Sequence, residues 1–495
     1  MVSARIGVRS SGLSVFTGRV VSAFTGFLFN AMVARWLVPK QFGLWEVVID
    51  LVAFASYPVT LVTFWATRDV ARGKMLGRTA LVTGGLLSMG GLAIYFAFTF
   101  VTYTALSAAL LPFLLGAILV PLSYWSVVTG SVVAGYRPSV AAISLVVSEF
   151  CKLGAAYACL YVYHTGINGV LAALMVAYFV QSLVGTYLVR GAAGAAVERR
   201  EIRRWLGLAW IPAISQLPIA LGAADTFVAS LGFGTGVAGI YQAAFVVASV
   251  VGYSVSLSAS LYPLLLRGGA ERLTGTIIEF SLLFSIPLAA GGLALAGPIL
   301  YLFGPSYAPA SLGLSILSVM FVFTTLSNII DQTLLGTEKV DEMKGARSAD
   351  FLTSNLLYVP AINLTSVVVY VVSMYLVLRY SFSAGLGTSS EVALWATVQL
   401  AATLAFMMVK ARRARRYANL APPSLSVVYY LVAAAVMGLV VYFASPVVAV
   451  ESLGTLTYGI RLLALVFAGS AIYFGLVYAL DGRFRDMAHS FMRRI

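Results

Sequence analysis

Charge is scarce in this sequence. Asp and Glu number 18, His 2 and Cys 2 among 495 residues, and charged residues make up 10% of the chain against 60% hydrophobic. A soluble domain carries roughly 25% charged residues. A water-soluble fold could not hide this much apolar surface, so lipid must be the solvent for most of the chain. The two cysteines, Cys151 and Cys159, stand in one apolar segment. Along a helix they would be about 12 Å apart, too far for a disulfide, so they read as packing residues. Several motifs are missing as well. There is no Gly-x-x-x-x-Gly-Lys-Ser/Thr loop for nucleotide phosphates, no His-Glu-x-x-His, no paired-cysteine metal site and no Gly-x-Ser-x-Gly elbow. His164 stands alone at a helix end, without a metal partner at ligand spacing. No cofactor, metal or catalytic group is expected, and any energy for transport must come from an ion gradient, the membrane potential or consumption of the substrate.

What is present is a series of long apolar runs, with a mean hydropathy of +0.94. A bilayer core needs about 20 apolar residues per helix. The sequence predicts spans near 11–34, 41–66, 79–102, 106–133, 139–163, 168–189, 205–231, 237–263, 276–302, 311–335, 354–378, 391–409, 425–444 and 456–480. The first is too long for a cleaved signal peptide and contains Arg19. The expected fold is therefore an all-α membrane protein of about fourteen transmembrane helices.

The net charge of +14 could suggest nucleic acid, but its distribution points to topology. Of the 32 lysines and arginines, 26 fall in the N-terminal tail, in the loops after even-numbered spans and in the C-terminal tail. The positive-inside rule then puts both termini in the cytoplasm of a cell-membrane protein, and adding or removing one span would destroy the bias. Basic residues spread over every such loop do not form a nucleic-acid stripe.

The chain carries weak internal repeats. Asn30-Ala-Met-Val-Ala-Arg and Gly43-Leu-Trp-Glu46 near spans one and two correspond to Asp225-Thr-Phe-Val-Ala-Ser and Gly239-Ile-Tyr-Gln242 near spans seven and eight. Gly135 after span four corresponds to Gly336 after span ten. A nearly constant offset at equivalent helix ends predicts two like-oriented six-helix bundles, 1–190 and 205–409, joined by a basic linker at 191–204. A second basic linker, 410–424, leads to two extra helices and a basic tail in 425–495.

This 6+6+2 pattern and the helix-end phrase Ala34-Arg35-Trp-Leu-Val-Pro39-Lys-Gln-Phe42-Gly43-Leu-Trp45 resemble the polysaccharide-biosynthesis flippases of the Wzx type. Gly336-Thr-Glu-Lys339 resembles a turn common in the same group. Those flippases belong to the MOP exporter superfamily, with the MATE antiporters and the lipid II flippase MurJ. The resemblance implies a MATE/MOP-like fold and a monomer. It also implies translocation of a lipid-linked oligosaccharide on a polyprenyl-phosphate carrier, by alternating access, for surface polysaccharide or glycoprotein glycan assembly. The chain departs from the pattern in lacking a dense run of cationic residues in the helices of its first half, which leaves the charge of the substrate open.

Charge inside a span costs about 2.5–3.5 kcal/mol on insertion scales, so it points to function or to a structural pair. Arg19, about 12 Å into span one, is a candidate for a bidentate pyrophosphate contact, with snorkelling as the alternative. Glu149 and Lys152 lie three residues apart on span five. They either neutralise each other or serve the substrate, with Lys152 the second phosphate candidate. Glu46 and Asp50, one turn apart on span two, and Asp225 on span seven are the expected ion-coupling acids. Glu46 and Asp225 would face a shared cleft and bind a proton or sodium ion, with ordinary interface acids as the alternative. Asp331 and Glu279 read as solvated helix-end acids, and Asn363 and Gln181 as interhelical hydrogen-bonding groups. Pro212, Pro218 and Gly222 make span seven the candidate bending helix, with packing without movement as the alternative. The rivals to a flippase are a MATE-type exporter of organic cations and a membrane glycosyltransferase, ligase or polymerase. The short outer loops disfavour the enzymes.

Overall fold

In the computed structural model of the chain, the residues described are 8–137, 140–194, 196–222, 224–258, 273–338, 354–416, 425–448 and 454–486, with side chains in the first helix from residue 21 onward. Thirteen helical segments among the described residues are long and apolar enough to cross a bilayer. They match the predicted spans two to fourteen in order. Span one corresponds to a 29-residue helix, α1 (Val8–Trp36).

By packing, the chain divides into Met1–Gly239 and Ile240–Ile495. The first unit holds α1, α2 (Pro39–Ser56), α3 (Thr60–Ala71), α4 (Gly77–Leu106), α5 (Leu110–Tyr136), α6 (Ala141–Tyr157) and α7 (Gly166–Val189). A short helix follows, α8 (Arg199–Gly207), then α9 (Trp210–Gly222), α10 (Ala224–Phe233) and the start of α11 (Thr235–Gly252). Span two is two helices in series. Pro58 cannot donate a backbone hydrogen bond, and the chain passes through a tight turn of 3-10 helix, Tyr57–Val59, between α2 and α3. Span seven holds α9 and α10.

In lipid the hydrophobic effect does not drive helix association, so close backbone contact and buried polar groups must. Both are present in the first unit. Tyr124 donates to the Ala55 carbonyl at 2.8 Å, Tyr95 to the Phe113 carbonyl at 2.8 Å, and the Trp125 indole to Thr186 Oγ1 at 2.9 Å. Gly43 and Gly239 allow the closest approach. A Cβ on Gly43 would lie 1.8 Å from the Thr235 carbonyl oxygen, and one on Gly239 would lie 2.2 Å from the Pro39 carbonyl oxygen. Only glycine fits at either place.

The second unit contains the rest of α11, α12 (Leu273–Ala294), α13 (Ala296–Phe303), α14 (Ser311–Gly336), α15 (Asn355–Ser383) and α16 (Thr388–Ala414), then α17 (Leu425–Val448) and α18 (Thr455–Leu480). The two last helices pack against α12 through Tyr430, Met437 and Tyr473. Tyr473 donates to the Leu283 carbonyl at 2.8 Å. Tyr241 of α11 stacks on Trp395 of α16, with ring centroids 3.7 Å apart.

Candidate functional sites in the spans

The side chain of Arg19 lies outside the described residues. Glu149 and Lys152 form an ion pair on α6, with Lys152 Nζ 2.7 Å from Glu149 Oε2. α1 completes the site: Thr25 donates to Glu149 Oε2 at 2.7 Å and Ser22 to Oε1 at 3.4 Å. Lys152 also sits 5.1 Å from the Phe29 ring centroid. The charge is thus compensated where it is buried.

The three acids expected to couple ions belong to one neighbourhood. Glu46 and Asp225 are buried, at 6% and 8% exposure. Asp50 is close enough to feel the charge of both. Asp225 Oδ1 accepts from the backbone N–H of Thr226 at 2.6 Å. Asp50 Oδ2 is shielded from solvent with no hydrogen-bond partner among the described residues. α2 and α10 pack together and bring these side chains near one another.

On the same unit, α3 presents Thr60, Thr63, Phe64, Thr67 and Arg68 at helical spacing along one face. With Ser131 of α5 and Pro212 and Gln216 of α9 they line an open pocket of about 370 Å³. The Arg68 guanidinium carbon stands 4.3 Å from the centre of the Phe64 ring, and Arg68 has no ion pair among the described residues. Thr60 and Thr67 give their protons to backbone carbonyls. That leaves their oxygens as acceptors and the guanidinium and the Gln216 amide as donors. The pocket holds one cation and no acid. Sequence reasoning placed Arg68 among the loop charges. Its position one helical turn beyond Phe64 and two beyond Thr60 was the available signal.

The second unit holds a buried pair in its own spans. Lys410 Nζ lies 2.9 Å from Asp331 Oδ1 and donates to Asn363 Oδ1 at 3.0 Å, while Asn363 Nδ2 donates to Asp331 Oδ2 at 3.0 Å. Two expectations are corrected here. Asp331 is not a solvated helix-end acid, and Lys410 is not a loop cation: at 3% exposure it is buried on α16, which runs on to Ala414. Asn363 makes the interhelical bonds expected of it.

A further acid escaped the sequence reading. Asp69, 2% exposed at the end of α3, accepts from Arg204, from the Trp205 indole at 2.9 Å, and faces Lys74 at 3.4 Å. Lys74 and Arg204 each also pair with Glu201. The linker expected at 191–204 is therefore partly the helix α8, fastened to α3 and α4. His164 stacks on Trp36 with centroids 5.0 Å apart, and no group of three or more metal-ligating side chains occurs among the described residues.

By sequence, no protein family and no curated protein matches the chain. Its structure does have relatives. The lipid II flippase MurJ, in an inward closed conformation, superimposes with a TM-score of 0.59 at 12% identity over 97% of this chain and 99% of its own. A multidrug resistance MATE family transporter of the MOP superfamily, inward-facing, gives 0.58 at 13% identity over 80% and 95%. A mutant of the Vibrio cholerae MATE transporter VcmN gives 0.53 at 14% over 83% and 98%. The chain is a multi-pass helical membrane protein. Its fold is the one these MOP-superfamily proteins share.

Proposed function

We propose that this protein is a flippase that carries a lipid-linked oligosaccharide, anchored on a polyprenyl-phosphate carrier, across the cell membrane by alternating access, and that it is not an enzyme. The observation that carries this reading is the Arg68 pocket. A free guanidinium above an aromatic ring, with hydroxyl and amide groups around it and no acid, suits a phosphate and repels an organic cation. The breadth of the likeness to MurJ, over 97% of the chain, also supports a flippase. Both termini are cytoplasmic, with basic loops on that side. The repeats 1–190 and 205–409 are the two moving halves, and 425–495 adds two helices. The protein acts as a monomer, and its product serves assembly of a surface polysaccharide or a protein-linked glycan.

Proton or sodium coupling falls to Glu46, Asp50 and Asp225. Asp50 has a buried oxygen without a hydrogen-bond partner and two further acids nearby, so binding a proton or a cation there offsets the burial of charge. Lys152, Glu149 and Arg19 remain the candidate substrate contacts within the first half. The same acidic group favours a second reading, a MATE-type exporter of organic cations. Proteoliposomes separate the two. A flippase moves a lipid-linked oligosaccharide between leaflets and loses that activity in Arg68→Gln. A cation exporter moves a fluorescent organic cation down or against an ion gradient and is indifferent to Arg68.

A further inference from the structure

The helix α8 joins span six to span seven and so must lie within a few residues of the bilayer surface. One side of it is fixed. Arg204 and Trp205 bind the buried carboxylate of Asp69, Glu201 pairs with Lys74, and the backbone N–H of Glu198 donates to Thr79 Oγ1 at 3.1 Å. At 100° per residue, Glu201, Arg204 and Trp205 share this fastened face. Arg199, Arg200 and Arg203 fall on a different face, are exposed, and have no ion pair among the described residues. Leu206, in the last turn of α8, is 45% exposed, and Trp210, the first residue of α9, is 60% exposed. Of the two acids at this end of the helix, Glu201 is paired with Lys74 and Arg204 and Glu198 is exposed.

A short helix with one clamped face, one cationic face and an exposed Leu, followed by an exposed Trp at the start of α9, has the chemistry of an interfacial segment. We propose that the Arg199–Arg200–Arg203 face of α8 is a binding site for the phosphate headgroups of anionic phospholipids. Guanidinium groups pair with phosphate through two parallel hydrogen bonds. The Asp69 clamp holds the three arginines in place, so little ordering remains to be done on binding. This site is independent of the transported substrate. It makes the protein's stability respond to the lipid composition of the leaflet that α8 faces.

The test uses the full-length protein in nanodiscs of phosphatidylcholine with graded phosphatidylglycerol. Retained phosphatidylglycerol is counted by native mass spectrometry, and the unfolding temperature is followed in parallel. The expected result is that R199Q/R200Q/R203Q lowers apparent affinity for phosphatidylglycerol by on the order of a hundredfold at low salt and loses the lipid-dependent rise in unfolding temperature. It should unfold in pure phosphatidylcholine as the wild type does. A control, R412Q/R415Q/R416Q, removes three cations from another basic segment and should retain the wild-type response. R199K/R200K/R203K should keep part of it. The proposal is overturned if the α8 variant binds phosphatidylglycerol as the wild type does, or if the control loses as much, since the response would then be diffuse surface charge.

Discussion

Gly43 and Gly239 are each other's counterpart. A Cβ on Gly43 would collide with the backbone of Thr235 and lie 3.0 Å from the Gly239 nitrogen, and one on Gly239 would collide with the backbone of Pro39 and lie 2.8 Å from the Gly43 nitrogen. Thr235 precedes Gly239 by the same four residues by which Pro39 precedes Gly43, so the contact is reciprocal, as at an interface with two-fold symmetry. These glycines are the ones that the sequence repeat pairs.

Gly43→Ala and Gly239→Ala should therefore destabilise the protein by about 1–3 kcal/mol each through forced separation of the two backbones. Gly26→Ala, with no atom within 4 Å of the added carbon, should be nearly neutral. Unfolding temperatures of the three variants in one detergent measure this. Equal behaviour of all three would contradict the contact.

Removing one member of a buried pair leaves an uncompensated charge, which costs about 3–5 kcal/mol, whereas removing both can be nearly neutral. Lys152→Met and Glu149→Gln should each lower yield and thermal stability, and the double variant should recover most of the loss. If the double variant folds yet fails to transport, Lys152 also serves the substrate. If it folds no better than the singles, the ion pair at 2.7 Å is not what stabilises α6 against α1.

The same logic applies to Asp331 and Lys410 in the second unit. Asp331→Asn strands a buried ammonium and should reduce folded yield severely, while Asp331→Asn combined with Lys410→Met restores it. Fluorescence-detected size exclusion reads the outcome. These residues also mark where the sequence was legible and where it was not. Long apolar runs and the loop charge bias identify the spans, because lipid imposes them directly. Pro58 identifies the break between α2 and α3. Lys410 was hidden because it begins a basic run, Lys-Ala-Arg-Arg, in which Arg412 is exposed. Asp69 was hidden between Arg68 and Arg72, where the eye reads a cytoplasmic loop. Which charge in a cluster turns inward is decided by a neighbour distant in sequence, and one strand of text does not show that neighbour. Glu46 and Asp225 stand out in the sequence because each matches an amide, Gln242 and Asn30, in the other repeat copy.

Asp69→Asn should release α8. The helix is then free to fray, and trypsin cleavage at Arg199–Arg204 should quicken by at least about tenfold, because proteolysis follows the population of the opened segment. Cleavage at the wild-type rate would mean that the Asp69 contacts do not hold the linker.

The acid group should be needed for energised transport and not for folding. Glu46→Gln, Asp50→Asn and Asp225→Asn should each fold, and each should lower gradient-driven transport by tenfold or more in proteoliposomes. Three amides with undiminished gradient-driven transport would remove these residues from coupling.

The claim that the protein is a lipid flippase is tested most directly by transbilayer movement of a polyprenyl-diphosphate-linked oligosaccharide in proteoliposomes, with an enzyme or lectin outside to detect newly exposed glycan. The account predicts movement that depends on the protein and falls at least tenfold in Arg68→Gln. Wild-type protein that leaves the lipid in place while expelling an organic cation at an undiminished rate in Arg68→Gln would contradict it.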